Sequence, residues 1–96
     1  MYILVTYDVD TTTKEGARRL RCVAKACINY GQRVQNSVFE CDVTEAQLCT
    51  LKDIINNIID AEKDSIRIYH LNRNNNRRVE ILGKETVYNM IDTIII

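Results

Sequence analysis

The stretch QRVQNSVFECDV, residues 32–43, carries two β-like runs that meet at Asn36-Ser37. Two turn-favouring residues between apolar, branched and aromatic runs read as a tight hairpin. A hairpin fixes two neighbouring antiparallel strands, so the elements on either side of it decide the fold. Upstream, residues 14–30 place Ala17, Leu20, Ala24, Cys27 and Ile28 at spacings of three and four, the stripe of an amphipathic helix. Gly31 stands where a helix C-cap glycine would. Before that helix, a turn at 11–13 follows YILVTYDV, residues 2–9, whose continuous hydrophobicity is that of a strand covered on both faces.

Downstream of the hairpin, Thr44 and Gln47 have the spacing of a capping box. Leu48, Leu51, Ile55 and Ile58 then recur at helical spacing, which predicts a second helix to about residue 59. DSIRIYHL, 64–71, reads as the next strand, NRNNN, 72–76, as a polar loop, and RRVEIL, 77–82, before Gly83 as a further strand. The order β-α-β-β-α-β with one extra C-terminal strand predicts an α+β, ferredoxin-like sandwich with two helices on one face of an antiparallel sheet. Residues 1–83 form that domain and residues 84–96 a tail. The tail ends in TIII, too apolar to be left in water, and is expected to dock on a sheet edge or a partner. Two helices cover one sheet face only, so the open face predicts a two-fold homodimer.

With 96 residues, 46% of them apolar and 27% charged, the chain has the proportions of one ordinary globular domain. It has no apolar stretch of membrane-spanning length and no export signal, so the expectation is a cytoplasmic protein without a membrane partner. Cys22, Cys27, Cys41 and Cys49 form no CxxC pair, and His70 is the only histidine, so they read as reduced thiols, with Cys27 in the core.

The formal net charge is zero, but the charge is unevenly distributed. Residues 11–35 hold six basic residues against Glu15, residues 36–65 hold seven acids against Lys52 and Lys63, and residues 66–84 hold five basic residues against Glu80. One positive and one negative face follow from that pattern. Lys14, Arg18, Arg21 and Lys25 line one side of the first helix. Arg18, Arg19, Arg33, Arg77 and Arg78 are candidates to grip nucleic-acid phosphates. The competing role for each is a solvated partner for acids such as Glu15 and Glu80.

Alternation along the first strand puts Tyr2, Leu4, Thr6 and Asp8 on one face, and Ile3, Val5, Tyr7 and Val9 on the other. If the first set lies on the dimer face, two copies of Asp8 approach each other, and a divalent cation such as Mg²⁺ relieves their repulsion. By position alone, an aspartate at a strand end such as Asp8 is usually a helix cap or turn residue. Asp10 reads as a turn or cap residue for the following helix, Tyr7 as core, and His70 as a strand residue.

The segments VTYDV (5–9), RRLRCVAKAC (18–27), YGQRVQNSVFEC (30–41), DSIRIYHL (64–71) and RRVEILG (77–83) together resemble the small CRISPR-associated endonucleases of spacer acquisition. The resemblance runs in order through residues 1–83. It implies a ferredoxin-like homodimer that binds the CRISPR integrase subunit and duplex DNA, with RNA as another substrate. It also implies the Mg²⁺-dependent phosphodiesterase activity reported for some members, with Asp8 as catalytic residue and metal ligand. Loop 72–76 lacks the aromatic residue that many relatives carry, and the tail does not follow the family pattern. Three readings stand at this point. One is a Mg²⁺-dependent endonuclease, one a non-catalytic adaptor that holds DNA for the integrase, and one a ferredoxin-like regulatory domain with a small-molecule site at its dimer interface.

Overall fold

The computed structural model describes residues 1–71 and 78–84. The elements run β1 (Tyr2–Asp8), α1 (Lys14–Ile28), β2 (Gly31–Gln35), β3 (Val38–Asp42), α2 (Glu45–Ile58), β4 (Ser65–Leu71) and β5 (Arg78–Gly83). They build one antiparallel sheet in the order β2-β3-β1-β4-β5. This is the ferredoxin-like α+β arrangement with an added strand. The loop at 72–77 and the tail at 85–96, including Arg77 and the apolar end, lie outside the described residues.

The hairpin turns at Asn36-Ser37, between Gln35 and Val38. Arg33 donates from Nε to the Asn36 carbonyl at 2.8 Å and lies 5.7 Å from the centre of the Phe39 ring. The Tyr7 N–H donates to the Ser37 carbonyl at 2.9 Å, so the turn is tied to the central strand.

α1 ends two residues earlier than the sequence suggests, with Asn29 as its C-cap. Gly31 is therefore not the cap. It opens β2, where a Cβ would stand 1.9 Å from the Glu40 carbonyl oxygen, so its role is to let β3 come close. The buried face of α1 is also rotated from the expected stripe. Gly16, Val23, Ala24, Ala26 and Cys27 are buried, Ala17 and Leu20 are half-buried, and Ile28 is 51% exposed. Small residues dominate that face because α1 lies close to the sheet, and the expected stripe followed hydrophobicity rather than size. The capping box of α2 is present in both halves, Gln47 N–H to Thr44 Oγ1 at 3.1 Å and Thr44 N–H to Gln47 Oε1 at 2.9 Å.

The core lies between the helices and one sheet face. Ile3 and Val5 of β1, Phe39 of β3, Ile66 and Ile68 of β4, and Leu51 and Ile55 of α2 are all fully buried. Each such side chain contributes about 1.5–3 kcal/mol on burial. The two faces of β1 are not equally covered: Leu4 and Thr6 are half-buried on the face away from the helices. Ile3, Val5 and Tyr7 face the helices, whereas Tyr2 is 58% exposed and Asp8 is exposed. Glu80 of β5 ties the far edge to α2 and β4 through Lys52 Nζ at 2.8 Å and His70 Nε2 at 2.6 Å. Burial pushes the Glu80 carboxyl up, and these two partners outweigh it and hold it below its ordinary value. Among the described residues no helix is long and apolar enough to cross a membrane.

Candidate functional site

Asp8 is the last residue of the central strand, on the face away from the helices, and its register partner across β4 is Ser65. Its carboxylate is exposed and has no hydrogen bond or ion pair among the described residues. Such a group is a ready ligand for a hard cation, since it need not be stripped from a protein partner first. Among the described residues no three acidic, histidine or cysteine side chains converge to hold a metal. Asp8 thus stands there as an isolated carboxylate among the described residues, and an ion such as Mg²⁺ needs only one or two carboxylates with the rest of its shell water.

Asp10 is a structural turn residue. Its Oδ1 accepts from the Thr12 N–H at 2.9 Å and the Thr12 hydroxyl at 2.6 Å, and these bonds hold its carboxyl below the ordinary value. The turn packs on α1 at Gly16, where a Cβ would meet the Asp10 carbonyl. Thr13 then caps the helix by accepting from the Gly16 N–H at 3.0 Å. A short, tightly braced connection therefore fixes the end of β1.

Immediately behind Asp8, on the other face, the sequence reading missed a buried polar cluster. Asp64 is 0% exposed and accepts from the Tyr7 hydroxyl at 2.5 Å, Arg19 Nε at 2.7 Å, Arg19 Nη2 at 3.2 Å and the Asp60 N–H at 3.1 Å. Burial raises the Asp64 carboxyl, but the Arg19 guanidinium, the Tyr7 hydroxyl and the Asp60 amide outweigh it and keep it depressed. Burial, then the Asp64 carboxylate, push the Tyr7 phenol well above its usual value, and the pairing raises Arg19. The cluster joins β1, α1 and the start of β4 one residue from Asp8. In the sequence Asp64 opens the strand-like run 64–71 and follows Asp60 and Glu62, so nothing local sets it apart from the acidic segment before it. Its clue was that it directly precedes the buried run beginning at Ser65.

The predicted basic residues are thus separated by structure. Arg18 is exposed on α1, beside a shallow pocket of about 350 Å³ lined by Glu15, Arg19, Cys22, Asn57 and Ile58. Arg19 is drawn inward to Asp64, and Arg33 is engaged at the hairpin. Arg78 opens β5, and Arg77 lies outside the described residues. Cys27 and Cys41 are buried and Cys22 and Cys49 exposed, all four as free thiols.

A ferredoxin-like α+β chain with a single bare aspartate on its open sheet face is the class defined by these features. The family described as CRISPR associated protein Cas2 matches residues 1–79, and the chain belongs to that family. It is 53% identical over 95 residues to a protein of Halalkalibacterium halodurans named CRISPR-associated endonuclease Cas2, covering 99% of both chains. It is 49% identical over 96 residues to a Chlorobaculum tepidum protein named CRISPR-associated endoribonuclease Cas2, covering 100% of both. The crystal structure of Streptococcus pyogenes Cas2 at pH 6.5 superposes with a TM-score of 0.75 at 59% identity, over 86% of this chain and 100% of that one.

Proposed function

We propose that the protein is a CRISPR nuclease of the spacer-acquisition machinery, acting in the cytoplasm as a homodimer that hydrolyses phosphodiester bonds with Mg²⁺. The observation that carries this reading is the exposed, unpaired Asp8 carboxylate on the open sheet face. Relatives named endonuclease and endoribonuclease support it, and they leave both DNA and RNA as substrates.

Asp8 holds the cation, and a two-fold axis beside β1 supplies a second Asp8. A Mg²⁺ ion held there would supply Lewis-acid polarisation of a phosphodiester and a more acidic bound water. The Asp64 cluster keeps the end of β1 rigid, so the carboxylate stays in place as nucleic acid arrives. Arg18, with Lys14, Arg21 and Lys25 on the same helix and with Arg33, Arg77 and Arg78, supplies positive charge for the phosphate backbone. Arg19 is neutralised by Asp64 and serves to brace the end of β1.

The second reading is a non-catalytic adaptor that holds duplex DNA for the integrase subunit. It is favoured by the lack, among the described residues, of any group of three metal-ligating side chains. Cleavage of RNA and duplex DNA by the parent and Asp8→Asn, with Mg²⁺ and with chelator, separates the two once both are shown to be dimers. Mg²⁺-dependent cutting lost in Asp8→Asn is the expected result. Equal cutting by both, or none by either, favours the adaptor.

A further inference from the structure

Ser65 is buried at 4% exposure, yet its hydroxyl has no hydrogen-bond partner in the structure. Buried hydroxyls are nearly always satisfied, and one left alone costs free energy without return. Its position in the sheet shows what it serves. Ser65 is paired with Asp8 on one side and with Gly83 on the other. Directly paired residues of antiparallel strands point to the same face, with Cβ atoms about 4.5–5.5 Å apart. Gly83 has no side chain to offer.

Among the described residues, the remaining polar neighbours on this face of β1 and β4 are Arg67, two residues along β4, and Thr6, which pairs with Arg67. A guanidinium has no acceptor atom. Thr6 lies on the diagonal, farther than the direct partner. The register places the Asp8 carboxylate directly opposite the Ser65 hydroxyl as a side-chain acceptor. The two are not bonded in the structure, so the bond requires the Asp8 carboxylate to turn toward β4.

We infer that Ser65 is a positioning residue for Asp8: its hydroxyl donates to one oxygen of the carboxylate and presents the other to the cation. This rests on the reading of Asp8 as a metal ligand. Partners one step behind a ligand typically account for 10–100-fold in metal affinity. A purely structural hydroxyl predicts the opposite balance, because Ser65→Ala removes an unsatisfied buried group and loses nothing.

The test uses Mn²⁺ alone as the probe. Its affinity is read by electron paramagnetic resonance of the free ion for the parent, Asp8→Asn, Ser65→Ala and Ser65→Thr, and each variant is also melted in chelator. The expected result is Mn²⁺ binding by the parent and none by Asp8→Asn. Ser65→Ala binds about tenfold or more weakly while melting at the same or a higher temperature, and Ser65→Thr recovers affinity. Ser65→Ala binding like the parent, with Asp8→Asn silent, overturns the role of Ser65 and leaves Asp8 standing. Weak binding by Ser65→Ala with a lowered melting temperature also overturns it, as a folding defect. Equal binding by the parent and Asp8→Asn removes Asp8 as a ligand and Ser65 with it.

Discussion

Replacing Asp64 by asparagine is the most informative perturbation of the fold, because it keeps the shape of the side chain and removes its charge. Three donors converge on Oδ2, the Tyr7 hydroxyl at 2.5 Å, Arg19 Nε at 2.7 Å and the Asp60 N–H at 3.1 Å, while Arg19 Nη2 reaches Oδ1 at 3.2 Å. An amide oxygen at the Oδ2 position keeps three contacts as weaker, neutral hydrogen bonds. Its NH₂ then faces Arg19 Nη2, donor against donor. Removing one partner of a buried ion pair costs about 3–5 kcal/mol. The Arg19 side chain keeps 18% exposure and can regain some hydration, which places Asp64→Asn near the lower end, about 3 kcal/mol. For a chain of this size that lowers the melting temperature by roughly 12–24 °C. Thermal and urea unfolding followed by circular dichroism, at fixed protein concentration and neutral pH, measures it. A loss below about 1 kcal/mol would refute the argument, since it would mean that the cluster is no more than a hydrated surface pair.

Other outcomes follow from the same geometry. The folded-state pKa of Asp64 lies below its ordinary value, so the unfolded chain binds more protons in acid. Its stabilisation is complete above about pH 4 and is lost as pH falls through the depressed value, so acid unfolding of the parent is steeper than that of Asp64→Asn. Tyr7→Phe removes one donor to Asp64 and lowers stability by about 2 kcal/mol, and its effect is strongly non-additive with Asp64→Asn in a double-mutant cycle. Arg18→Ala leaves the melting temperature unchanged and flattens the salt dependence of duplex binding by about 0.9 in log slope. Arg19→Ala, by contrast, lowers the melting temperature, and equal melting of the two variants would contradict the inward role of Arg19. Gly31→Ala forces β2 away from the Glu40 carbonyl and destabilises the chain by more than about 1 kcal/mol in urea unfolding.

The hairpin, both helices and the order of elements along the chain were legible because each leaves a local mark: two turn residues, a capping box, a periodic stripe. Asp8 was legible through alternation, which depends only on the period of a strand. The Asp64 cluster was not, because its members come from residues 7, 19, 60 and 64, and their meeting is a product of three elements packing together. Ser65 was hidden for a related reason, since a serine in a strand is unremarkable until its cross-strand neighbour and its burial are known. The rotated face of α1 escaped because glycine and alanine carry little hydrophobic signal, although they decide how near a helix can approach a sheet.

Tyr7 and Asp8 are adjacent, yet one locks the interior and the other stands on the open face. Their separation rests only on the phase of β1. Inserting or deleting one residue between Met1 and Asp8 would turn the carboxylate into the core and the phenol out of it, breaking the Asp64 cluster and removing Asp8 from the open face in a single step. Length in this strand is therefore fixed in a way that its composition is not. A conservative exchange at Ile3 or Val5 is a packing adjustment, whereas a change of one residue in their number inverts the molecule.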